Sequence, residues 1–231
     1  MRQKYLDLAG LTAYDRKLKE WFKAGVVDIA DEAIRALFIT PTKYEAVDLG
    51  LPSGTKWATF NLGATKPEEY GDYYAWGELE TKDVYNWENY KYTENILKYN
   101  SEDEMNILLP EDDISTKICG DGWCTPTYTD YQELMDNMKG YSVTSINGIK
   151  GIKFTSDTTG QSIFLPIAGL CTNDGLTAVQ EYAEYMTSQA NRNEYKDAGV
   201  LCITPSGSSF RCILSTQNRY FGLPVRPVYK G

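Results

Sequence analysis

Histidine is absent from the 231 residues. That removes the usual neutral-pH base and the commonest zinc ligand, and with them Ser-His-Asp and Cys-His catalysis. The chain is poor in basic residues, with 23 Lys and Arg against 32 Asp and Glu, for a formal charge of -9. Nucleic-acid affinity comes largely from clustered Lys and Arg, and no basic run is present, so no nucleic-acid partner is expected. Long apolar runs are missing too. Nothing reaches the ~18 apolar residues of a membrane span, and the opening MRQKYLDLAG carries charges where a signal peptide needs an apolar stretch. The expectation is a soluble chain that does not insert into membranes and has no export signal of its own. Five cysteines, Cys119, Cys124, Cys171, Cys202 and Cys212, form no CxxC pair. Without histidine they make a poor zinc site, and an odd count favours reduced, buried thiols, although a Cys119 to Cys124 bridge across GDGW is conceivable.

Aromatic residues, by contrast, are abundant: eighteen tyrosines and five tryptophans. Rigid amphipathic rings offer contact area at low entropic cost, which suits a recognition surface; they also fill large irregular cores.

Residues 5 to 38 read as helix. Leu11, Tyr14, Leu18, Trp21 and Phe22 recur at three- and four-residue spacings among charged residues, and Gly25 separates them from a second stripe of Val26, Ile29, Ala30, Ala33, Ile34 and Leu37. Two short helices cannot bury such faces alone, so they pack on the main domain or on copies of themselves. The domain organisation expected is therefore a helical segment over 1–41, with a role in oligomerisation, and a ligand-binding domain over 42–231.

From Tyr44 the texture changes to short strands and polar loops. VDLGLPSGTKWATF offers two strands about a Pro-Ser-Gly turn, with Trp57 and Phe60 entering the core. Leu79 to Ile118 reads as a long charged and aromatic loop. Thr127 or Thr129 can cap a helix running to about Lys139, with Tyr131, Leu134, Met135 and Met138 on its buried stripe. GIKGIKFTS and QSIFLPIAG read as a hairpin joined through Asp157 to Gly160. Final strands are expected over 199–204, 210–214 and 223–228. Helix followed by many short strands and irregular loops is α+β.

Chemistry is hard to place on this chain. The acidic clusters Glu102-Asp103-Glu104 and Glu111-Asp112-Asp113 lack the alternate-position spacing of a calcium loop. Glu78 and Glu80 are the nearest paired carboxylates, with nothing to mark them as catalytic. Cys202 and Cys212 lie in alternating strand patterns, where cysteine serves as a small apolar group. No catalytic residue, metal or cofactor is expected.

An ordered set of motifs carries a family resemblance over about Tyr44 to Tyr229. It begins at VDLGLPSGTKWAT (Val47 to Thr59) and continues through EYGDYYAWGE (Glu69 to Glu78), WCTPTYTDYQEL (Trp123 to Leu134) and IFLPIAG (Ile163 to Gly169). NRYFGLPVRPV, Asn218 to Val228, closes it. This order resembles the "major paralogous" domain of gut Bacteroidetes and Fibrobacter surface proteins, which is similar to the formylglycine-generating-enzyme branch of the C-type lectin-like fold. The same domain carries the variable region of many proteins diversified by retroelements, phage tropism determinants among them. Arg219 and Gly222 match an Arg-x-x-Gly step of that family, whereas Met186 stands where relatives often carry Trp.

The resemblance implies a C-type lectin-like binding scaffold rather than an enzyme, on a virion or cell surface, with a host surface protein or glycan as partner. It also implies a homo-oligomer, a trimer, formed through the N-terminal helices. The implied binding face comprises Tyr185, Ser188, Gln189, Asn191, Asn193, Tyr195, Arg211, Ser215, Gln217, Asn218 and Tyr220, outward residues on strands whose inward side is fixed by Leu201, Ile203, Phe210 and Leu214. Two other readings stand beside it. One is an undiversified Bacteroidetes adhesin or carbohydrate-binding domain; the other is an enzyme related to sulfatase activators, which need paired cysteines such as Cys202 and Cys212.

Overall fold

The computed structural model describes residues 44–92, 98–100, 102–103, 105–138 and 140–231. The helical stripes expected over 5–38, and the oligomer built on them, lie outside the described residues.

Among the described residues strand outweighs helix, 38% to 12%, and they form a mainly-β sandwich. This corrects the α+β expectation. That reading drew on the N-terminal helical pattern, but the described residues hold only two short α-helices, α1 (Ile114–Cys119) and α2 (Tyr128–Asn137). Helix α2 forms where the caps demand it. The Thr127 hydroxyl accepts the Asp130 amide at 3.2 Å while the Asp130 carboxylate accepts the Thr127 amide at 2.6 Å, a reciprocal box at the N-terminus. Tyr131, Leu134 and Met138 are its buried stripe, with Met135 at the margin.

Fourteen strands make five small sheets among the described residues. Strands β1 (Ala46–Val47), β2 (Lys56–Ala58), β14 (Val228–Tyr229) and β4 (Trp123–Cys124) are hydrogen-bonded in that order, so both ends of the domain meet in one sheet. Strand β3 (Tyr73–Tyr74) pairs with β13 (Leu223–Pro224). A meander of β5 (Tyr141–Ile146), β6 (Ile149–Thr155) and β7 (Ser162–Pro166) contains the hairpin expected from GIKGIKFTS and QSIFLPIAG. It also contains a hairpin outside the expected set, turning at Asn147-Gly148 with both residues at positive φ, 49° and 82°. Strand β8 (Leu170–Thr172) pairs with β9 (Gly175–Thr177). The last meander is β10 (Ala183–Ala190), β11 (Asp197–Ser206) and β12 (Ser209–Asn218).

That last sheet separates two apolar clusters. Ala183, Tyr185, Leu201 and Ile203 face α2, Trp57 and the β6–β7 side chains; Met186, Ala198, Val200 and Cys202 face a tyrosine-rich cluster containing Trp76, Tyr85, Tyr90, Tyr92 and Tyr99. The stretch expected to be a long loop thus supplies core, since Tyr85, Tyr90, Tyr92 and Tyr99 are all buried.

Both arginines of the closing motif are fully buried. Arg226 donates to Asn61 Oδ1 (2.9 Å), Phe164 O (2.8 Å), Ala58 O (3.2 Å) and Thr59 O (3.3 Å), tying three segments together. Burial pushes its pKa down to about 10, against the pull of the neighbouring Tyr185. Arg219 lies 4.4 Å from the centre of the Trp76 ring and donates to Tyr99 O at 2.8 Å. Asp112 anchors the same region. Burial works to raise its pKa, but donors from Lys98, Lys91, Tyr99 and Tyr92 hold the carboxyl far below the usual range.

Candidate ligand-binding face

The β11–β12 hairpin runs for ten residue pairs without a bulge and turns through Gly207-Ser208, Gly207 at φ 61°. Side chains alternate along β12. Phe210, Cys212 and Leu214 pack on the α2 side, whereas Arg211, Ile213 and Ser215 are exposed on the other.

Two of the expected site residues meet in a groove of ≈ 260 Å³ lined by Tyr128, Gln189, Ala190, Asn191, Arg192, Gly199 and Thr216. Tyr128, 37% exposed, stands at the first residue of α2, and Thr216 comes from β12. Gly199 keeps the groove open. A Cβ there would lie 2.7 Å from Thr187 Oγ1 and 3.4 Å from the Tyr128 ring. Asn191 is held from both sides: its amide donates to Asp197 O at 3.0 Å and its Oδ1 accepts the Asn193 amide at 3.0 Å. Asp197, whose pKa is raised by partial burial and then by Glu194, accepts from the Thr216 hydroxyl at 3.5 Å. The arrangement offers amide, guanidinium and hydroxyl groups beside a half-exposed ring.

A second group of expected residues lies on the opposite face of the sheet. Gln217 reaches across to the buried carboxylate of Glu184, donating at 2.9 and 3.2 Å, while its own Oε1 accepts the Asn218 amide at 2.9 Å. Tyr182 donates to the same carboxylate, and Cys202 Sγ lies 3.7 Å from it. Tyr220 packs on Trp87 and Phe221, ring centres 4.9 and 4.5 Å away, and Lys196 Nζ stands 5.9 Å over Trp87. Tyr195 is partly buried against the same cluster.

Two residues leave the proposed face altogether. Tyr185 is wholly buried and donates to Pro166 O at 2.7 Å; Ser188 is 2% exposed, its amide bonded to Pro126 O at 2.8 Å. Strand β10 is covered on both sides, so neither parity points to solvent. Arg211 is exposed and separate from both groups; Ser215 is exposed too, with its hydroxyl on the Cys202 thiol of the second group. Sequence reasoning missed Tyr128, Arg192, Gly199 and Thr216. A glycine inside a strand pattern, Gly199, was the available signal of a close approach; Tyr128, three residues before Tyr131, was another, because it continues the helix stripe.

All five cysteines are free thiols, their pKa values raised by burial to about 11 or 12. Cys202 pairs in register with Ile213 and Cys212 with Ile203, and the two thiols point to opposite faces of the sheet. They do not form the facing pair that oxygen activation requires. Among the described residues no cluster of three or more His, Cys, Asp or Glu could hold a metal, and no helix is long and apolar enough to cross a membrane. A second groove, of ≈ 280 Å³, lies over β5–β7 and is lined by Thr59, Thr144, Lys153 and Ser162 among apolar neighbours that include Phe164. Comparison with models of known protein families, with curated proteins and with solved structures finds no match to this chain.

Proposed function

We propose that the chain is a non-catalytic recognition protein whose C-terminal meander meets a surface protein or glycan of a host cell. In the fuller form of this reading it is a retroelement-diversified, phage-type receptor-binding protein, displayed on a virion or cell surface. The observation that carries it is the groove beside Tyr128, where Gln189, Asn191, Arg192 and Thr216 converge around Ala190 and Gly199. Preformed concave sites with a few convergent polar groups are the default form of a ligand site. The division of labour in β12 supports the same reading, because outward positions can vary while inward ones hold the fold.

The test is a triple change, Gln189→Ala, Asn191→Ala and Arg192→Ala, in fluorescently labelled protein applied to cell panels and to a glycan array. Binding of the parent protein should fall at least about tenfold, with only a modest fall in melting temperature, because Arg192 is exposed and Gln189 and Asn191 are half-buried at the surface. Undiminished binding by a folded triple variant would remove the groove from recognition.

A further inference from the structure

The chain contains a single Asn-Gly step, Asn147-Gly148, and the fold sets it at the exposed tip of the β5–β6 hairpin, where Ile146 pairs with Ile149 across a two-residue turn. Asparagine is chemically unstable when the amide nitrogen of the next residue can reach its side-chain carbonyl carbon, and any side chain on that next residue obstructs the approach. Gly148 carries none. A Cβ there would meet nothing within 4 Å, so no neighbour shields the nitrogen, and the Gly148 amide makes no hydrogen bond among the described residues. One hydrogen bond holds the Asn147 side chain. Its Nδ2 donates at 2.8 Å to Oε1 of Glu68, on the loop between β2 and β3, and this bond is the largest cause holding the Glu68 carboxyl below its usual range. The chain neighbours of the two partners, Ile146 and Pro67, both line the ≈ 280 Å³ groove over β5–β7. The bond is therefore a latch between the hairpin and a loop that walls the groove.

We infer that Asn147 is a site of spontaneous deamidation whose conversion opens this latch. The Gly148 nitrogen attacks Cγ of Asn147. The new N–Cγ bond closes a succinimide ring, the Cγ–Nδ2 bond breaks, and Nδ2 leaves as ammonia with the proton that the Gly148 amide gives up. Water then opens the ring at either carbonyl. One opening leaves an aspartate at position 147; the other leaves an isoaspartate, whose main chain runs through the side-chain carbons and adds a methylene to the two-residue turn. Either product sets a second carboxylate where Glu68 had a donor, so attraction gives way to like-charge repulsion.

The full chain, incubated folded in mildly alkaline buffer and then digested with trypsin, tests this directly. Peptide 140–150 holds Asn147 as its only asparagine and no glutamine. Its aspartate and isoaspartate forms, separated by chromatography and identified by mass, should accumulate at least about tenfold faster than deamidation at any other asparagine. Glu68→Ala frees the Asn147 side chain and should raise that rate by at least about threefold, with circular dichroism confirming the fold. In Asn147→Asp the Glu68 carboxyl, followed by carbon NMR, should titrate at higher pH than in the parent, because its donor has become a like charge. Folded protein that deamidates no faster at position 147 than elsewhere overturns the proposal. So does a rate indifferent to Glu68→Ala, or a Glu68 titration that Asn147→Asp leaves unmoved.

Discussion

At the scale of single residues, the closing motif matters through close contacts rather than exposed chemistry. Gly222 needs no unusual backbone angle; it is glycine because the Tyr85 ring lies across it, with a Cβ placed 2.7 Å from Cζ and 2.8 Å from both Cε atoms. Tyr85 cannot retreat easily. Its hydroxyl donates to Tyr73 O at 2.5 Å and accepts the Lys82 amide at 3.0 Å. Gly222→Ala should therefore cost about 1–3 kcal/mol through overpacking. Gly207→Ala meets nothing within 4 Å and carries only the cost of its positive φ. Urea unfolding of the two variants side by side checks this; equal midpoints would mean the Tyr85 contact is easily relieved. Arg219 and Arg226 belong with Gly222 as structural residues. Their guanidinium groups bind main-chain carbonyls and Asn61, which commits them to the fold rather than to a ligand.

At the scale of elements, legibility depended on whether one side of an element meets water. Helix α2 was readable because its cap is local and its stripe is one-sided: Thr127, Tyr131, Leu134 and Met138 all stand where spacing put them, and Met135 is partly buried beside them. Strand β12 was readable for the same reason, with Phe210 and Leu214 inward and Arg211 and Ser215 outward. Strand β10 was not. It lies between two apolar clusters, so Tyr185 and Ser188, on opposite parities, are both buried and a polar-looking sequence gave no warning. Tyr90, Tyr92 and Tyr99 follow no period at all, because irregular backbone carries them into the core. The groove was half legible, through Gln189 and Asn191, while Tyr128 arrives from a distant element. Because Tyr128 is the residue after the cap, Thr127→Ala should do two things: lower stability by about 1 kcal/mol and loosen the groove wall. Chemical denaturation gives the first and ligand titration the second. An unchanged denaturation midpoint would show that the box contributes nothing.

At the scale of the whole molecule, the unusual feature is how many weak acids the fold buries in their neutral form. Burial is the largest cause in each case: it raises Tyr44 and Tyr85 to about 12, Cys119 and Cys212 to about 12, and Cys124, Cys171 and Cys202 to about 11, and it carries Tyr73, Tyr74, Tyr90 and Tyr185 higher still. Unfolded thiols and phenols ionise near pH 8.5 and 10 respectively. Above those values the unfolded chain binds fewer protons than the native one, so stability falls as pH rises. The contribution is complete below about pH 8.5 and is lost through pH 9 to 12, thiols first and tyrosines after. Each fully buried group steepens the fall by up to about 1.4 kcal/mol per pH unit, and the half-buried thiols contribute less because water screens them. The urea midpoint, followed by tryptophan fluorescence, should hold steady between pH 7 and 8 and drop sharply by about pH 10.5. Replacing Cys212 with Ala should delay the onset of that drop, because it removes a thiol that stays neutral only while folded. A midpoint at pH 10.5 equal to that at pH 8 would mean that water reaches these side chains in the native state, and the two-cluster core would then be wrong.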